Sequence, residues 1–363
     1  FRGPTRTAWR PFRAFGLPFL ANQSVSIMTI MLRRYTAPVL LSLLAAATAM
    51  GAGLRSSALD TLARSILDAG AVPAGPELML MSAASGWTGM ISGVSSGDPA
   101  LLGPPEDGTP WGACTTNRLR VMVLGSPPAV KLAGAALEGP GEACGRLVVE
   151  GLDRLEEPMV TLLSPSMRVD TLVADSAEAV VANTAEAGVY WLEVTEQSRG
   201  DPRVVTLLPL VRGGTLEEAA RGWARLSSAE VTSAGDIITG LNGLREELGL
   251  RKLAGDPALE EIARDRAITL AQRGELRHLT PGGTALPELM RGNRVAYAEN
   301  IARGAGFQEA WSMILVSPTH VSSCLSRRFS RVGVSSALAV DSLGWQLVLV
   351  QVFADGQVER GRR

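Results

Sequence analysis

The sequence predicts an α+β fold, and three observations carry that prediction. Capped helical periodicity runs through residues 237–273 and 307–325. Two β-rich runs, Arg331 to Val340 and Trp345 to Phe353, close the chain as a hairpin around Asp341-Ser-Leu-Gly344. Ahead of these, short apolar runs between 118 and 211 recur every ten to twenty residues between Gly, Pro, Asp and Asn turns. Helices followed by a hairpin imply helices covering an antiparallel sheet, and evenly spaced short strands imply a β-sandwich.

Length and composition bound the rest. A chain of 363 residues with 46% hydrophobic residues has material for two or three domains. A formal charge of -1 gives no reason to expect nucleic acid as a partner. Three cysteines make neither a disulfide scaffold nor a zinc spacing.

Taken in order, residues 1–30 show no sustained period and read as a mispredicted upstream segment. Residues 31–49 read as a signal peptide. Met31-Leu-Arg-Arg-Tyr is followed by an apolar run from Pro38 to Met50, with Ala47-Thr-Ala49 as the exit. The expectation is export, extracellular or periplasmic, with no transmembrane segment in the mature form. The alternative is a single N-terminal membrane anchor.

Residues 55–92 form a helical segment. Leu59, Leu62, Ile66 and Leu67 share a helical face that Ser57 or Asp60 could cap. A second short helix is expected over 77–84, and Gly-, Pro- and Ser-rich 93–113 as loop. Residues 108–213 form the all-β sandwich-like domain. Cys114 and Cys144 flank its first strands and are expected to pair in an exported protein, with two unpaired thiols as the alternative. Over 214–235, a helix begins at the capping box Thr215-Leu-Glu-Glu218 and a small polar linker follows.

The last domain, 236–356, opens with the stripe Ile237, Ile238, Leu241, Leu244 and Leu248. Asp256-Pro257 starts the next helix and Gly274 ends it. Phe307 to Leu315 is a third helix, and Ser317-Pro318 starts a fourth. The only two histidines of the chain, His278 and His320, both lie in this domain, with Glu299 between them. Two imidazoles and a carboxylate are the minimum for a metal site or an acid–base site.

These pieces resemble the CAP superfamily of cysteine-rich secretory, antigen-five and pathogenesis-related-one proteins, in its bacterial SCP-like extracellular branch. The resemblance covers residues 237–354. It is carried by Leu241-Asn-Gly-Leu-Arg-Glu-Glu-Leu-Gly-Leu250, Asp256-Pro-Ala-Leu259, Arg277-His-Leu-Thr-Pro-Gly-Gly283 and Ala298-Glu-Asn-Ile-Ala-Arg-Gly304. Ser317-Pro-Thr-His320, Phe329-Ser-Arg-Val-Gly-Val334 and Val348-Leu-Val-Gln-Val-Phe-Ala354 complete it. It implies an α-β-α sandwich with a cleft lined by two His and two acidic residues. His278, Glu299 and His320 match three of the four, and Ser317 stands where the second acid would be.

The chemistry expected is a cleft that binds a ligand, a lipid or a divalent metal such as zinc, without turnover. Any metal ligands would be His278, Glu299 and His320, and otherwise Glu299 would hydrogen-bond the two imidazoles. Ser317 and Asn300 are supporting residues. Ser317 caps the helix, and Asn300 points away from Glu299 on the same strand to satisfy backbone. No catalytic residue is assigned. A metal-dependent hydrolase using the same cleft is the alternative. A surface or cell-wall interaction protein with a vestigial cleft is a third. Ser317 as a serine nucleophile is set aside because no Gly-x-Ser-x-Gly elbow accompanies it. Cys324 reads as a small buried residue.

Overall fold

The computed structural model describes residues 56–69, 76–85, 91–97, 111–115, 120–125, 130–133, 138–139, 147–172, 178–181, 184–198, 201–220, 231–279, 285–341 and 344–358. The expected signal peptide lies outside the described residues, and so does Cys144, the expected partner of Cys114. Among those residues no helix is long and apolar enough to cross a membrane.

Two helices open the fold, α1 (Ser57–Ala69) and α2 (Pro76–Ala84). Leu59, Leu62, Ala63 and Ile66 of α1 are buried together. The cap of α1 is neither Ser57 nor Asp60. Ser56 precedes the first helical residue and accepts from the Leu59 amide at 3.4 Å. Asp60 reaches across instead, to the amide of Ala113 at 2.8 Å. The segment expected as loop holds β1 (Ile91–Gly97) and β2 (Trp111–Thr115). Both pair with β3 (Arg120–Gly125) in a sheet ordered β1-β3-β2. Turn-forming composition misled there because an apolar partner strand outweighs the weak propensity of Gly and Ser.

The sandwich follows. β4 (Lys131–Ala133), β6 (Leu147–Glu150) and β9 (Glu178–Val181) make one sheet. β5 (Glu138–Gly139), β7 (Met159–Leu163), β8 (Val169–Leu172), β10 (Gly188–Ser198) and β11 (Asp201–Arg212) make the other, ordered β5-β11-β10-β7-β8. Period-two alternation gives β10 two different faces. Tyr190, Leu192 and Val194 pack against Val130, Val149 and Leu152 inside the sandwich. Trp191 turns the other way, with Leu163, Leu207 and Val211, onto α2 and onto Val316 and Val321 of the last domain. The capping box forms as read: Thr215 Oγ1 accepts from the Glu218 amide at 3.1 Å, and Glu218 accepts from the Thr215 amide at 2.9 Å.

The last domain contains α3 (Ala234–Glu247), β12 (Ala254–Gly255), α4 (Pro257–Arg273), α5 (Leu286–Leu289) and β13 (Tyr297–Gly304). It ends with α6 (Phe307–Val316), α7 (Pro318–Leu325), β14 (Arg331–Asp341) and β15 (Gly344–Ala354). The sheet runs β12-β14-β15-β13. Val348, Val350 and Val352 of β15 face α4 through Leu259, Ile262, Ala263 and Leu270. Leu347, Leu349 and Phe353 face Ile237 and Leu241 of α3 and Ala310, Trp311 and Ile314 of α6. One strand with two apolar faces is what an α-β-α sandwich requires. β13 is left as the edge strand on which the site is built.

Candidate functional site

The site begins with α4. Asp256 caps it, accepting from the amides of Ala258 and Leu259 at 2.9 and 3.3 Å, and Gly274 ends it in the left-handed region at φ 68°. Arg266 lies on its apolar face and is wholly buried. Its Nε donates to Glu299 Oε1 at 2.7 Å and its Nη2 to Oε2 at 3.1 Å. The same Nη2 donates to the carbonyls of Arg277 and His278, at 2.8 and 3.1 Å. His278 Nδ1 lies 2.9 Å from Glu299 Oε2. A carboxylate can only accept, so Nδ1 carries the proton and Nε2 is the open ring nitrogen. The cleft carboxylate is thus the centre of an Arg–Glu–His chain that is buried at Arg266 and Glu299 and partly exposed at His278. Removing Arg266 or Glu299 strands a buried charge.

Asn300 points to the opposite face, as alternation requires. Its Nδ2 donates to the His320 carbonyl at 3.1 Å and to Gln351 Oε1 at 3.0 Å, tying α7 to the sheet. Cys324 is a free, buried thiol beside it, pushed up to about 12 by burial. His320 arrives from this second face. Ser317 caps α7, accepting from the His320 amide at 3.4 Å. Burial, and then the neighbouring His278, hold His320 down to about 3, so its imidazole is neutral. Its Nδ1 is buried without a hydrogen-bond partner. Glu299 therefore bonds one of the two imidazoles and not both.

The β-domain closes the cleft. Glu193 of β10 is fully buried. Its carboxyl shares hydrogen bonds with the hydroxyls of Ser317 and Thr319 and accepts, at 3.3 Å, from the Thr319 amide. A carboxyl group thus does reach the place where an acid was expected and Ser317 stands, but it comes from another domain. Asp201 of β11 grips the other wall. It accepts from the amides of His278 and Leu279 at 3.1 and 3.2 Å and from Arg277 Nε at 3.1 Å. Between the two anchors lies a cavity of about 340 Å³. Its floor is His278, Glu299, Asn300, Thr319, His320 and Ser323, and its roof is Met159, Thr195, Gln197, Pro202 and Val204.

Residues 238–353 match the family model of CAP, the Cysteine-rich secretory protein family. They are the CAP domain of this chain. No curated protein matches the chain. Among solved structures, an outer surface protein from Borrelia burgdorferi aligns at 20% identity over 34% of this chain and 92% of its own, with a TM-score of 0.30. An extracellular protein containing a SCP domain from Bacillus anthracis aligns at 15% over 47% and 65%, TM-score 0.28. A cysteine-rich secretory protein from Staphylococcus aureus aligns at 10% over 78% and 91%, TM-score 0.26.

The donor set of this CAP domain does not fit a metal ion. Both oxygens of Glu299 bind Arg266, one also faces His278, and a guanidinium beside the carboxylate repels a cation. Among the described residues no group of three His, Cys, Asp or Glu is arranged to hold a metal.

Sequence reading missed Arg266, Glu193 and Asp201. A signal was present for the first two. Arg266 interrupts the apolar stripe of α4, and Glu193 is a lone acid inside the apolar run Val189-Tyr-Trp-Leu-Glu-Val194. Charges in such places are buried only with partners.

Proposed function

We propose that this chain is a non-enzymatic binding protein, acting outside the cytoplasm, that takes one small amphiphilic molecule between the CAP cleft and the β-domain. The observation that carries this reading is the cavity with its two-domain lining. Its volume suits a lipid fragment or similar small molecule. Met159, Pro202 and Val204 offer apolar contact, and His278 and Gln197 offer hydrogen bonds. Export is supported by the pattern of residues 31–49.

The commitment of the polar groups supports a reading without turnover: the Ser317 and Thr319 hydroxyls are engaged with Glu193, and Glu299 is held by Arg266. A hydrolytic reading has one support, the orientation of His278 by Glu299, as in an acid–base imidazole.

Native mass spectrometry of the intact protein with palmitate, a lysophospholipid and zinc chloride tests the proposal. The wild type should retain an amphiphile at one to one and Gln197→Trp, which fills the cavity, should not. At a hundredfold excess over Kd the ligand should add about 2.7 kcal/mol of stability. Retention of no compound by the wild type overturns the proposal. Zinc held by the wild type and lost in His278→Ala would restore the metal reading. Ester turnover lost in Glu299→Gln would make the site an enzyme's.

A further inference from the structure

We propose that the β-domain is a proton-dependent cover of this cavity, its hold on the CAP domain strengthened by Glu193 as a neutral acid and weakened when Glu193 ionises. The inference rests on the reading of the cavity as the binding site, but its test needs no ligand, so the two can fail separately.

The geometry at Glu193 is that of a carboxyl buried between two domains with no counter-ion. Its partners are two hydroxyls and one amide, all neutral, and all on the first turn of α7. Its strand neighbours are Thr161 of β7 and Leu207 of β11, also neutral. On α7 only His320 and Cys324 titrate, and both are neutral while the cover is docked. The charged groups of β11 are engaged elsewhere: Asp201 with Arg277, Arg203 with Glu196, and Arg212 with Thr184. On α6, Glu309 accepts from the Ala305 amide. Glu77 of α2 is not among the partners of Glu193.

A bare carboxylate in such a place is strongly disfavoured, and water on an exposed strand face would relieve it. Burial accordingly pushes the Glu193 carboxyl above its ordinary range, and the Ser317 and Thr319 hydrogen bonds pull it only partly back. The sign follows. With the cover lifted, Glu193 ionises near its ordinary 4.5. With the cover docked it ionises at higher pH, so docking takes up a proton and weakens as pH rises through the docked value. His320 acts in the opposite sense, being neutral when docked and free to take a proton near 6.5 if lifting wets it. A second observation also favours a cover that lifts. Thr195 Oγ1 in the roof and His320 Nδ1 in the floor are buried without hydrogen-bond partners, and both gain them when water enters.

Hydrogen exchange of the intact protein, followed by mass spectrometry from about pH 4.5 to about pH 9 and corrected for intrinsic pH dependence, tests the cover. The comparison is wild type against Glu193→Gln, a neutral isostere in which the His320 contribution is unchanged and cancels. At the peptides carrying Thr319 and His278, the ratio of wild-type to variant exchange should rise with pH. The rise should be about tenfold for each unit by which docking raises the Glu193 value. Strands β14 and β15 should show no such rise. A ratio flat with pH, or one rising equally in β14 and β15, overturns the proposal. If Glu193→Gln does not fold, glutamate carboxyl NMR on Glu77→Gln decides instead. One carboxyl must keep its proton beyond the range of the rest, and if none does the proposal falls.

Discussion

His320 and Glu299 line one cleft from different elements, His320 from α7 and Glu299 from the edge strand β13. Arg266 meets both oxygens of Glu299. His320 is neutral, because it is buried with another imidazole as its electrostatic neighbour. A histidine whose value is lowered in the folded state stabilises the fold fully above about 6.5 and progressively less as pH falls toward about 3. Through that window its contribution should decline by at most about 1.4 kcal/mol per pH unit. Urea unfolding at pH 7 and pH 5 should therefore show a smaller acid loss in His320→Leu than in wild type, and equal losses would refute the assignment. The identities of His278, Glu299, His320, Ser317 and Asn300 were legible because motif spacing marks positions. Their partners were not, because Arg266 and Glu193 are chosen by tertiary contacts that leave only an odd charge in an apolar run.

At the scale of elements, local chemistry was a good guide where it was strong. Asp256 with Pro257, Gly274, Ser317 with Pro318 and the Thr215 capping box all begin or end helices where their capping chemistry places them. It failed where pairing decides, at β1 and β2, whose composition is that of turns. One glycine has a further role. A Cβ at Gly333 of β14 would sit 2.2 Å from the backbone of Leu259 and Glu260, so the strand and the first turn of α4 touch directly. Gly333→Ala must push helix and sheet apart, and the expected loss is about 3 kcal/mol, the upper end of overpacking costs. An unchanged urea midpoint in that variant would show that α4 can yield at no cost.

For the whole molecule, the two domains share one apolar cluster as well as two polar anchors. Val316 and Val321 are fully buried, in a cluster with Leu163, Trp191, Leu207 and Val211. A CAP domain expressed alone from Val231 onward would uncover both valines and leave Ser317 and the His278 amide without their carboxyl partners. It should be less stable than the full chain by on the order of 3 kcal/mol. Equal urea midpoints for the CAP core in the two forms would show that the β-domain contributes nothing to it.

The five roof residues, Met159 to Val204, all precede the segment by which the family is recognised. Under the proposed function, two chains with the same histidines and the same glutamate would bind unlike molecules if their β-domains differ. The CAP segment supplies only the floor of the cavity, so selectivity should depend also on β7, β10 and β11. Exchanging the β10–β11 hairpin between relatives is the natural way to redirect such a protein while leaving its most recognisable residues untouched.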